Sequence, residues 1–146
     1  MRVAILEDSE VQMATLRFAV SNLGNDVVFE SDRLSEFEQA VELGADVIFL
    51  DMTLTDANPA MVVEFLMQWR PKENAPCVVM MTSSRITASL FAAAEVLGAL
   101  CWDKELDSIT DVIGKVSGKV SGKCQKRSPW QLSQLSELLG QRACLS

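Results

Sequence analysis

The chain has 146 residues, 49% of them apolar, a formal net charge of −7, and neither His nor Tyr. That length suits one domain with a single core, and the missing His excludes a His-based triad, a His general base and most zinc chemistry. The charge is uneven: residues 1–111 carry 7 Lys/Arg against 19 Asp/Glu, and residues 112–146 carry 6 against 1. Such an acidic body is a poor direct binder of nucleic acid, where affinity comes largely from neutralising phosphates.

No apolar run approaches the roughly 20 residues that span a bilayer, so membrane insertion is not expected. Met1-Arg2 leads straight into a strand with no signal-peptide plan. Cys77, Cys101, Cys124 and Cys144 are scattered without a C-x-x-C pair, which reads as buried or free thiols in a reducing cytoplasm.

Along the chain, strand and helix signals alternate. Val3-Ala4-Ile5-Leu6 predicts a short strand ending on Glu7-Asp8. Ser9 offers an N-cap, and Val11, Leu16, Ala19, Val20 and Leu23 form a helical stripe stopped by Gly24. Val27-Val28-Phe29 predicts a second strand, and Leu34, Phe37, Ala40, Val41 and Leu43 a second stripe closed by Gly44. Val47-Ile48-Phe49-Leu50 is a four-residue apolar run ending on Asp51, the signature of a strand buried on both faces. Asn58-Pro59 starts a helix with Asn as cap and Pro at its first position. Its stripe is Val62, Val63, Leu66, Met67 and Trp69, and it ends before Pro71.

Cys77-Val78-Val79-Met80-Met81 predicts a fourth strand stopping at Thr82-Ser83-Ser84, followed by an Ala-rich helix to Gly98. A short strand, Leu100-Cys101-Trp102, leads to Asp103-Lys104, and a last helix starts near Asp107-Ser108 and runs toward residue 120. Five strands alternating with five helices predict an α/β, doubly wound parallel sheet with helices on both faces and right-handed crossovers.

In such a sheet the C-terminal strand ends share one edge, and ligands bind there. This chain places Glu7 and Asp8 after strand one, Asp51 after strand three, Thr82 after strand four and Lys104 after strand five. Clustered carboxylates repel one another unless a hard cation is shared among them. Mg²⁺ suits that role because it takes oxygen ligands and keeps several waters. Thr82 and Lys104 would then hold an incoming oxyanion. Phosphoryl transfer needs mainly positioning and charge neutralisation, which this set supplies.

Across residues 1 to about 122 the chain resembles a response-regulator receiver domain of two-component signalling, of the single-domain chemotaxis-regulator kind. "ILEDS", "VIFLDMTL", "VVMMTSS" and "CWDKEL" stand where that family has its acid pair, phosphoacceptor, switch hydroxyl and lysine. The resemblance implies a flavodoxin-like, five-stranded sheet of order 2-1-3-4-5. It also implies that Asp51 accepts a phosphoryl group from a histidine kinase or phosphotransfer protein and signals to a downstream protein target. By the same resemblance Glu7 and Asp8 hold Mg²⁺ with Asp51, Asp8 more directly and Glu7 partly through water, and the Thr53 carbonyl completes the metal shell. Thr82 hydrogen-bonds the phosphoryl oxygen and Lys104 ion-pairs with it. No enzyme is implied beyond self-phosphorylation and self-dephosphorylation.

The chain departs from that family in four places. The loop after the phosphoacceptor commonly reads D-x-x-x-P-x-x-x-G, whereas "DMTLTDANP" puts Thr55 and Pro59 at the Pro and Gly positions, so a reshaped loop is expected. Glu105 follows the lysine in place of a cis proline, and a trans bond is expected because a non-proline cis peptide costs about 3 kcal/mol. The segment from Gly98 to Lys104 is one residue shorter than usual, leaving the alignment of strand five open. The switch aromatic falls on Cys101, with Trp102 either a surrogate for it or simply core.

The expected domain limits are a receiver over 1–122 and, over 123–146, a linker with a short amphipathic helix. Gly114, Gly118 and Gly122 recur at i, i+4 spacing, which reads as a weak helix fraying into the linker or as a close-packing face. Ser128-Pro129-Trp130-Gln131 resembles a capping box, and Trp130, Leu132, Leu135, Leu138 and Leu139 give an apolar face ending at Gly140. That tail is expected on the output face formed by the fourth and fifth helices, on its own domain or across a homodimer. No DNA-binding or enzymatic output domain is expected in the span after residue 122. Two other readings stand beside this one. A phosphorylation-independent receiver-like binding module fits the altered switch and loop. A haloacid-dehalogenase-type phosphatase shares the strand-end Asp, but Thr53 occupies the place of its second carboxylate.

Overall fold

A computed structural model describes residues 1–69, 74–82, 88–104 and 108–121, with the backbone alone at 88–91 and 121. Pro71, Ser83, Ser84, Glu105, Asp107, Gly122 and the expected tail helix over 128–140 lie outside the described residues, as do Cys124 and Cys144.

The strands are β1 (Arg2–Leu6), β2 (Asp26–Ser31), β3 (Val47–Asp51), β4 (Cys77–Thr82) and β5 (Leu100–Asp103). They form one sheet in the order β2-β1-β3-β4-β5, with every pairing parallel. The helices are α1 (Glu10–Asn22), α2 (Phe37–Glu42, preceded by a 3₁₀ turn over Leu34–Glu36), α3 (Pro59–Gln68), α4 (Ala88–Leu97) and α5 (Ile109–Ser121). The predicted α/β architecture and strand order are both present. Alternation along each strand feeds two cores. Ala4, Leu6, Ile48, Leu50, Val78 and Met80 pack with α2, α3 and α4 on one face. Val3, Ile5, Val47, Phe49, Val79 and Met81 pack with α1 and α5 on the other.

Helix boundaries follow local chemistry. Ser9 Oγ accepts the Gln12 N–H at 3.3 Å, and Asn58 Oδ1 accepts the Met61 N–H at 2.9 Å ahead of Pro59. Gly24 and Gly44 close α1 and α2 with φ of +81° and +76°, a left-handed turn that a side chain would strain. The α1 stripe differs from its prediction. Met13, Leu16 and Val20 are buried, whereas Val11 is 76% exposed and Leu23 lies partly open. Met13 takes the sheet-facing place because Val11 falls on the outer side of the first turn.

The reshaped loop after β3 is built from hydrogen bonds. Thr55 donates its N–H to the Asp32 carbonyl at 3.0 Å and its hydroxyl to Asp32 Oδ2 at 2.9 Å. Asp56 accepts the N–H groups of Leu34 at 2.7 Å and Ser35 at 3.1 Å. It thereby caps a helix start whose own N-cap, Arg33, offers no side-chain acceptor. Partial burial works against the Asp56 charge, but these N–H donors outweigh it and hold the carboxyl below its ordinary value of 3.8. A carboxyl depressed in the folded state stabilises above the unfolded pKa, and this is lost as pH falls through the folded one. Asp56→Ala should therefore cost about 1 kcal/mol at neutral pH, as a lost cap does. Denaturant melts should show the deficit shrinking as pH drops below the ordinary aspartate range.

Gly114 and Gly118 do not form a close-packing face, and the expected fraying into the linker at Gly122 lies outside the described residues. The helix continues to Ser121, and a Cβ added at Gly114 or Gly118 meets nothing within 4 Å. The face packed on the sheet is instead Val112, Ile113 and Val116. Gly114→Ala and Gly118→Ala should each stabilise by about 0.5–1 kcal/mol, read as additive rises in unfolding midpoint.

Candidate functional site

The carboxyl edge of the sheet gathers the residues expected there. β1 delivers Glu7, 2% exposed, and the exposed Asp8, and β3 ends on Asp51, 7% exposed. β4 ends on the buried Thr82, one residue beyond the level of Asp51, which pairs with Met81. β5 settles the alignment left open by the short Gly98–Lys104 segment. Met80 pairs with Cys101, Met81 with Trp102 and Thr82 with Asp103, and the Lys104 N–H donates to the Thr82 carbonyl at 2.9 Å.

That register carries the Lys104 ammonium into the site. Its Nζ donates to Asp51 Oδ2 at 2.9 Å, to Glu7 Oε2 at 3.0 Å and to Gln12 Oε1. Asp51 Oδ1 accepts the Thr53 backbone N–H at 2.9 Å, and Glu7 Oε1 accepts the Ser9 N–H at 3.2 Å. Burial pushes the Glu7 carboxyl up to about 8, and Asp51 pushes the same way through its hydrogen bond and its charge; Lys104 opposes them. Burial likewise works against the Lys104 charge. The hydrogen bonds and charges of Asp51 and Glu7 prevail and hold it above its ordinary 10.5.

One ammonium thus faces two buried carboxylates with a third alongside. Oxygen atoms of Glu7, Asp8 and Asp51 lie within 4.8 Å of one another. This all-oxygen, partly open donor set fits a hard divalent cation such as Mg²⁺. Thr53 contributes its backbone to the site, through the N–H that fixes Asp51.

Two residues of the site escaped the sequence reading, Gln12 and Ser9, which enter it from the start of α1. At the end of β5 the buried Asp103 pairs in register with Thr82. The Ser9-x-x-Gln12 spacing was a visible signal, but for a helix start rather than a site. Trp102 belongs to the core. Its ring meets Phe49 edge-on at 6.0 Å on the α1/α5 face, while Cys101 packs on the opposite face. No helix among the described residues is long and apolar enough to cross a membrane.

No family model and no curated protein matches the chain. Solved structures do. The response regulatory domain of protein mrkE from Klebsiella pneumoniae superposes with a TM-score of 0.65 at 19% identity, covering 84% of this chain and 100% of that one. The response regulator domain of Thermotoga maritima CheB gives 0.64 at 22% identity, covering 83% and 96%. The signal receiver domain of a modulated diguanylate cyclase from Desulfovibrio desulfuricans G20 gives 0.63 at 23% identity, covering 82% and 91%.

If the carboxylates share a cation, Mg²⁺ should raise the unfolding midpoint in a saturable way, as any ligand of the folded state does. Asp8→Asn should abolish that rise. It should leave the metal-free midpoint within about 0.5 kcal/mol of wild type, because Asp8 is exposed. Differential scanning fluorimetry with and without Mg²⁺ reads both.

Proposed function

We propose that this chain, which has the fold of a response-regulator receiver domain, is a phosphoacceptor of two-component signalling. On this reading Asp51 takes a phosphoryl group from a histidine kinase or phosphotransfer protein, and the modified domain presents an altered surface to a downstream protein. One observation carries the reading. Lys104 Nζ sits 2.9 Å from Asp51 Oδ2 while Glu7, Asp8 and Asp51 converge within cation-sharing distance.

The chemistry follows from these positions. The Thr53 N–H fixes Oδ1 of Asp51, and Lys104 fixes Oδ2, so the nucleophilic carboxylate is held on both oxygens. A carboxylate oxygen attacks phosphorus, an O–P bond forms, and the N–P bond to the donor imidazole breaks. The departing imidazole keeps the bonding electron pair. The product carries about −1.5 to −2 charge with three acceptor oxygens. Lys104 answers that charge, and Thr82, buried at the neighbouring strand end, supplies a hydroxyl donor. Glu7, Asp8, Asp51 and the Thr53 carbonyl would hold Mg²⁺, which when bound neutralises charge on the carboxylates and the phosphoryl oxygens.

Intact-mass analysis after incubation with acetyl phosphate and Mg²⁺ tests the proposal. A single phosphoryl adduct is expected on wild type, with none on Asp51→Asn. Lys104→Ala should weaken retention of the modified state more than Mg²⁺ binding, since the lysine faces the phosphoryl group rather than the cation. A wild type that stays unmodified with a competent donor would favour the phosphorylation-independent binding module, to which the half-buried Cys101 at the switch-aromatic position also points.

A further inference from the structure

Ser9 and Gln12 have the spacing of a capping box, in which the Gln side chain returns to the backbone N–H of the cap. Half of that box forms, since Ser9 Oγ accepts the Gln12 N–H at 3.3 Å. The other half is pre-empted, because the Ser9 N–H donates to Glu7 Oε1 at 3.2 Å. The Gln12 side chain goes instead to Lys104 and accepts a hydrogen bond from Nζ. Only the amide oxygen can face an ammonium, which has three donors and no acceptor.

The three N–H groups of Lys104 therefore have three acceptors: Glu7, Asp51 and Gln12. A lysine ammonium is a compact charge on a flexible four-carbon stem, and one partner leaves it free to rotate about its last bond. Two partners fix that rotor and aim the third N–H. Gln12 provides the second point of attachment without charge. A carboxylate in its place would add another negative group to a site already holding Glu7, Asp8 and Asp51.

We propose that Gln12 is a positioning residue. With Glu7 it orients the Lys104 ammonium so that the remaining N–H meets whatever Asp51 presents, a carboxylate oxygen at rest and a phosphoryl oxygen after modification. This rests on the reading of Asp51 as a phosphoacceptor. It adds a residue from α1 whose effect on the phosphoryl group is exerted wholly through Lys104.

The test uses Gln12→Met, which keeps length and removes the strong acceptor, and Gln12→Ala, which separates that loss from the bulk of Met. The first measurement is the NMR signal of the Lys104 ammonium in the metal-free protein. Wild type should hold its ammonium protons against solvent exchange, and both variants should exchange them faster. The second is calorimetric titration with Mg²⁺ and then with beryllofluoride, a phosphoryl mimic. Both variants should bind beryllofluoride roughly tenfold more weakly, the scale of one hydrogen bond to a charged group, with Mg²⁺ affinity held within about twofold. An unchanged ammonium signal in both variants overturns the inference, as does a beryllofluoride affinity equal to wild type. A wild type that binds no beryllofluoride with Mg²⁺ present overturns the phosphoacceptor reading instead, and the ammonium signal still decides whether Gln12 holds Lys104.

Discussion

The site depends on one constraint: two buried carboxylates, Glu7 and Asp51, must share a single ammonium that arrives from the far end of the sheet. Burying charge at such a site costs several kcal/mol per ion, on the order that only close partners can offset, and the same burial pushes the Glu7 carboxyl up. The partners are close only if β5 sits in one register on β4. Because successive strand residues point to opposite faces, a slip of one residue would turn Lys104 away from Asp51 and Trp102 away from Phe49. The charged site and the apolar core therefore select the same pairing, Trp102 from within a four-residue strand and Lys104 from just beyond its C-terminal end.

The fold was legible because its signals are local and repeated. Apolar runs such as Val47 to Leu50 need burial on both faces, and only a parallel sheet with helices above and below gives them that. The acid pair, acid, hydroxyl and lysine were legible because topology alone brings strand ends together. The alternation rule also served at β5, where it set Trp102 opposite Cys101.

What could not be read depends on pairs of segments meeting in space. The Thr55 and Asp56 contacts join two loops separated by more than 20 residues, and nothing in either loop names the other. Gln12 reaches a lysine 92 positions away, and its capping-box spacing pointed to a different partner. The α1 stripe read from the sequence includes Val11 and leaves out Met13, the residue that faces the sheet. At 3.6 residues per turn Val11 stands about half a turn away from Leu16 and Val20, whereas Met13 stands close to Val20, so the helical period itself favours Met13. The α5 glycines lie on the solvent face, which their i, i+4 spacing could not reveal.

Two chains of contacts lead away from Asp51. Oδ1 leads through the Thr53 N–H into the loop that Thr55 and Asp56 bind to Asp32, Leu34 and Ser35. Oδ2 leads through Lys104 to Gln12 and so to the first turn of α1. On β5, the residue at the switch-aromatic position is a half-buried cysteine, a side chain too small to sweep out volume as a ring would. Trp102, the only aromatic of that strand, is committed to the α1/α5 core against Phe49. On the proposed reading, added charge at Asp51 has its hydrogen-bonded neighbours on α1 and on the β3–α3 loop, while the aromatic side chain of β5 lies in the core. The first route runs largely through backbone N–H groups, and the second through side chains alone, from Asp51 by Lys104 to Gln12.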